Sequence, residues 1–154
     1  MRALQLFGLV ALAAASEESC LPAGKVDTIL NLEGASLSLN NMGGFGTGGG
    51  VEAMILSNAG TAGSEAGIYA GQPFDIMITN TSEYMPINYG NTKINGQFAQ
   101  INMAPPSVED IYPVSGTTEN VGKFKICAVA SGTGTSGSPT LITLDSLPLT
   151  FYDL

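Results

Sequence analysis

Apolar and polar positions alternate along several short stretches of this chain. In residues 72–80, QPFDIMITN, Phe74, Ile76 and Ile78 fall on one side, while Asp75, Met77 and Thr79 fall on the other. That period of two is the mark of a β-strand. Residues 121–130 repeat it, with Phe124, Ile126 and Ala128 facing one way and Lys123, Lys125, Cys127 and Val129 the other. Residues 26–39 read as two short strands broken at Gly34, the second marked by Ala35, Leu37 and Leu39, although Val26, Ile29, Leu30 and Glu33 also suit one helical turn or two. VEAMIL at 51–56 adds a further strand, and residues 58–64 follow as a turn-rich loop. Asn95-Gly96 marks a turn after Ile94, although the register of residues 97–103 stays open. A last strand pair, TLITL and LPLTFYDL, is expected over residues 140–154.

Gly, Asn and Pro separate these segments. Residues 40–50, NNMGGFGTGGG, form a long hairpin or loop by default, because glycine loses the most backbone entropy on ordering. Residues 131–139, SGTGTSGSP, form a second glycine turn. Pro105-Pro106 ends whatever precedes it. Ser107, Glu109 and Asp110 then match a helix start, which Pro113 limits to about a turn. The pattern predicts an all-β, antiparallel sandwich of jelly-roll or immunoglobulin-like kind, with a barrel as the other closure. No long amphipathic helix separates the strands, which argues against a nucleotide-binding α/β fold.

The first fifteen residues break the alternation. Arg2 precedes an apolar run that ends in Ala13-Ala14-Ala15. This is the order of a secretory signal peptide, and the run is too short to span a bilayer. Residues 16–154 then form a single domain in a secreted or cell-surface setting. Its apolar last residues, 149–154, fit either a final staple of the sheet or a chain cut short before further protein.

Composition sharpens the picture. Without the leader, four lysines face thirteen carboxylates, a charge of about −9. That opposes nucleic acid and anionic surfaces. The chain has no histidine, so it lacks an imidazole base or metal ligand. The glycine-rich loop is followed by Val51-Glu52 rather than Gly-Lys-Ser/Thr, which removes the phosphate-loop reading. No cofactor is implied.

Two cysteines in an exported chain predict one bridge, between Cys20 and Cys127. Such a loop of more than a hundred residues is worth roughly 4–5 kcal/mol in ideal chain entropy. Asn80-Thr81-Ser82 is an intact glycosylation sequon. Tyr69, Tyr84, Tyr89 and Tyr112 lie in or beside loops. The segment holding Tyr84, Asn88 and Tyr89 is the first choice for a surface recognising a glycan or a protein, because loop tyrosines stack on sugars and anchor partners.

Carboxylates at Asp75, Glu83, Glu109, Asp110, Asp145 and Asp153 keep two rivals in play. One is a carbohydrate-active hydrolase, which needs paired carboxyls across a groove. The other is a calcium-dependent adhesion module, although no calcium-loop spacing is present and no metal ligand is assigned. The reading that composition and pattern favour is a secreted, non-enzymatic binding or structural module of a cell-surface or matrix protein.

Overall fold

The computed structural model describes residues 26–46, 49–86, 88–103, 122–147 and 149–150. The first fifteen residues, read as a leader, together with Cys20, the segment around Pro105-Pro106, Tyr112 and the last four residues, lie outside these.

The described chain forms seven strands: β1 (Ile29–Leu30), β2 (Ser36–Asn40), β3 (Met54–Thr61), β4 (Pro73–Asn80), β5 (Lys93–Asn95), β6 (Phe98–Gln100) and β7 (Phe124–Ala130). All pairings are antiparallel. The larger sheet runs β1-β3-β4-β7, with β2 also paired to β3. It is curled and incompletely closed, a half-barrel, and β5 and β6 form a separate two-stranded sheet. The antiparallel β-rich expectation is met in this form.

β1 and β2 lie end to end along one edge of β3. Ile29 and Leu30 pair with Thr61 and Gly60, and Ser36 to Asn40 pair with Ser57 to Met54. The 3₁₀ turn Leu32–Gly34 interrupts them, its start capped by the Asn31 side chain accepting the Glu33 N–H. The break expected at Gly34 is therefore present.

The alternation read from β4 and β7 separates two apolar faces. Phe74, Ile76, Ile78, Leu56 and Ala128 build the main core, with Phe124, Ile126 and Leu37 packed against it. Ile55, Met77, Val129 and Ala53 build a smaller cluster on the opposite face. A sheet buried on both faces explains why β3 begins with the unbroken apolar run Met54, Ile55, Leu56. The turn at 131–139 covers that second face, its backbone at Gly134 closing onto the Ile55 side chain.

Three expectations are corrected. First, the bridge between Cys20 and Cys127 is not formed: Cys127 is a free thiol. It sits mid-strand opposite Met77 and packs with the smaller apolar cluster, where it serves as a small half-buried hydrophobe. Second, the turn-rich reading of residues 58–64 fails at its start, because β3 continues to Thr61. The ladder to β4 shifts register between Leu56 and Gly60, and Asn58 takes a left-handed φ of 56° there. Asparagine tolerates that conformation better than most residues. At Gly60 a side chain is excluded, since a Cβ would lie 2.0 Å from the Ile29 carbonyl oxygen of β1.

Third, residues 140–147 do not form the expected strand. They run beside β7 through a single bridge, Val129 to Leu141, with Ala130 N–H donated to Thr140 O and Ile142 N–H to Ala128 O. Ile142 and Leu144 still turn inward against the core. The alternation was a true burial signal, but it lacked a continuous ladder.

Candidate functional site

Buried polar groups locate the site. Asp75 is 1% exposed at the centre of β4. Its Oδ1 accepts the Asn58 N–H (2.9 Å) and the Ser131 hydroxyl (3.1 Å), and its Oδ2 accepts the Gly132 N–H (2.7 Å). A buried carboxylate needs such donors to offset its lost hydration. Asp75 thus clamps the β3 irregularity to the turn after β7, and its oxygens are committed to the fold. Asp145 binds the Thr28 hydroxyl, whose oxygen also accepts the Gly63 N–H (3.1 Å). Glu83 is exposed, and Glu109, Asp110 and Asp153 lie outside the described residues. Among the described residues, no three Asp, Glu or Cys side chains converge.

A second polar network joins the glycine-rich loop to the tyrosine segment. The loop opens with the 3₁₀ turn Met42–Gly44, and Met42 is buried in the main core. Tyr89 accepts the Met42 N–H (3.0 Å) and donates its hydroxyl to Asn40 Oδ1 (2.6 Å). Asn40 Nδ2 donates in turn to the Thr92 carbonyl (2.7 Å). The Gly43 N–H reaches Asn80 Oδ1 (3.0 Å), and the Gly46 N–H reaches Asn41 Oδ1 (3.0 Å). The loop expected from its glycines is therefore anchored at its first half by backbone bonds to three side chains.

Tyr84 is 3% exposed. Its hydroxyl donates to the Asn102 carbonyl (2.7 Å) and meets the Thr92 hydroxyl at 2.8 Å. One phenol carries one proton, so Thr92 is the donor in the second bond. Burial pushes the Tyr84 phenol above its ordinary value of 10.0, against the Thr92 bond, which favours ionisation. Burial likewise raises Tyr89, opposed by the Met42 N–H and reinforced by the charge of an ionised Tyr84. Both phenols stay neutral at physiological pH.

Phe45 completes the arrangement. Its ring lies 6.1 Å from that of Tyr84, edge to face, and 6.0 Å from that of Tyr89. Gly43 is the residue that permits this: at φ 62° a Cβ would sit 3.0 Å from the Tyr84 ring and 3.2 Å from the Phe45 ring. Phe45 is 43% exposed, Tyr89 is half-buried and Asn88 is exposed. Asn88 Oδ1 caps the turn Tyr89–Asn91 through the Gly90 N–H, and its own N–H is held by Asn102 Oδ1 (2.7 Å).

Of the residues read from the sequence, Tyr84 and Tyr89 come together and Asn88 stands at their rim. Tyr84 belongs to the interior, whereas Tyr89 reaches the surface. Phe45 was not singled out, since it lies in a stretch whose glycines signal only a loop. Tyr69 packs at the core margin. Asn80 of the sequon is half-buried at the end of β4, its Nδ2 donating to the Ser82 carbonyl (3.0 Å). An attached sugar takes one of the two amide hydrogens and leaves one for that bond. Among the described residues, no helix is long and apolar enough to cross a membrane. The chain matches no protein-family model, no curated protein and no solved structure, so the reading of this corner rests on its own geometry.

Proposed function

We propose that this chain is a non-catalytic binding module of an exported cell-surface or matrix protein, and that it recognises its partner at the corner formed by Phe45, Tyr89 and Asn88. The observation that carries the reading is the Phe45 ring, 43% exposed and braced by two tyrosines. A large apolar ring held in place before contact loses little conformational entropy on binding, which is the character of an interface anchor. The leader-like first fifteen residues support the exported setting. A hydrolase would need two free carboxyls across a groove. Asp75 and Asp145, two candidates among the described residues, are each engaged in internal bonds.

The test is an array of extracellular proteins and neutral glycans probed with the wild-type chain, Phe45→Leu and Tyr89→Phe. Phe45→Leu keeps an apolar side chain but removes the flat ring, and should weaken the recognised interaction about tenfold. Tyr89→Phe should weaken it less, by loosening the loop. Replacing Tyr84 by alanine would test packing rather than recognition, since that side chain is buried. Equal binding by wild type and Phe45→Leu would remove this corner from the account.

A further inference from the structure

We infer that the partner presented to this corner is a basic protein segment, with a lysine or arginine side chain seated on the Phe45 ring beside the Glu52 carboxylate. The inference rests on the corner being the recognition surface and names the chemistry it selects.

Two observations on the polar groups favour a cation over a sugar. A sugar ring stacked on an aromatic also needs hydroxyl partners around that ring. Here most of the neighbouring polar side-chain groups are engaged within the fold, the Asn88 amide nitrogen at the rim excepted. Tyr84 and Tyr89 donate their hydroxyl protons to Asn102 O and Asn40 Oδ1. Asn80 uses both ends of its amide, and the Asn88 and Asn102 oxygens each accept a backbone N–H. The carboxylate of Glu52 is different. It lies beside Gly44, the residue before Phe45, so that a Cβ on Gly44 would sit 3.6 Å from Glu52 Oε1. Glu52 is exposed, and among the described residues it has no hydrogen-bond or ion-pair partner.

A partly exposed aromatic ring and an uncommitted carboxylate on one short loop suit a cationic side chain. The ring attracts the cation through its quadrupole, and the carboxylate supplies the opposite charge. The chain as a whole carries a net charge of −8, a field that steers basic partners towards it.

The experiment titrates acetylated hexalysine amide, and separately maltohexaose, into the isotopically labelled full chain and follows backbone and aromatic NMR shifts. Hexalysine should shift residues 44–46, 52 and 88–90 first, and the affinity should fall as salt rises from about 50 to 150 mM. Glu52→Gln and Phe45→Leu should each weaken binding about two- to fivefold. Glu65→Gln removes the same charge from a different turn and sets the baseline for general attraction.

If Glu52→Gln behaves like Glu65→Gln, or if maltohexaose shifts the corner and hexalysine does not, the basic-segment inference is overturned. Should Phe45→Leu still weaken binding on the protein and glycan array, the corner itself stands. No shift at the corner with either probe also overturns the inference. The same silence together with an inert Phe45→Leu on the array removes the recognition surface as well.

Discussion

Asp75 shows how much one side chain organises here. Its three bonds tie β3, β4 and the turn after β7 at a site closed to water. In Asp75→Asn one acceptor oxygen becomes an amide nitrogen that faces N–H or O–H donors. The expected loss is about 2 kcal/mol of unfolding free energy, read as a lower urea midpoint at unchanged slope. An unaltered midpoint would mean that Asp75 is not the clamp. In the sequence, Asp75 stands as a polar residue on the less apolar side of a strand and as one of several candidate site carboxylates; the donors that surround it come from residues 58, 131 and 132, which no local pattern connects. Cys127 teaches the reverse. Two cysteines in a chain whose start reads as a leader suggest a bridge, but this strand position packs its half-buried thiol against Met77 and Val129. Alkylation in non-reducing urea should therefore label Cys127 fully, and labelling of the folded chain should be slower. Recovery of Cys127 in a linked peptide would contradict the structure.

At the level of elements, strands with clean alternation were legible: β2, β4 and β7 lie where their apolar periodicity places them. The end of β3 was not, because Ser57, Asn58 and Gly60 have the composition of a turn. They stay in the sheet because β2 pairs with Ser57, β1 and β4 pair with Gly60, and Asp75 holds the Asn58 N–H. The segment after β7 failed in the opposite sense. It has a strand's burial pattern, yet one bridge and a side-chain clasp fix it instead of a ladder. The clasp joins Asp145 to Thr28 and Gly63, so it links the two ends of the curled sheet. The Thr28 hydroxyl, aided by nearby backbone N–H groups and opposed by desolvation, holds the Asp145 carboxyl below its ordinary 3.8. A carboxyl with a depressed folded pKa stabilises above its unfolded value and loses that contribution as pH falls through the folded one. Acidification from pH 5 towards pH 2 should therefore speed amide exchange in residues 140–146 before the β4–β7 ladder opens. Gly63→Ala should produce the same local loosening at neutral pH, since its Cβ would lie 2.5 Å from Asp145 Oδ1. Simultaneous loss of protection along β4 and β7 would show that the clasp is not a separate unit.

The described chain is a half-barrel with a small second sheet, and its two glycine-rich loops are worked into the fold: one lies over Ile55, and the first half of the other is locked to the tyrosine segment. Its β character and the pairing of Tyr84 with Tyr89 in one region could be read from the sequence. The corner proposed for recognition could not, because it is assembled from residues 40–46 and 80–102, brought together by backbone bonds to Asn80 and Tyr89. The central claim is that this glycine loop is a fixed platform for Phe45. A nuclear Overhauser spectrum of the labelled chain at neutral pH tests it directly. The account predicts cross-peaks from the Phe45 ring to both the Tyr84 and Tyr89 rings, with slow exchange of the Met42 and Gly43 amides. Absence of both ring contacts, with those two amides exchanging as fast as in an unfolded chain, would contradict it.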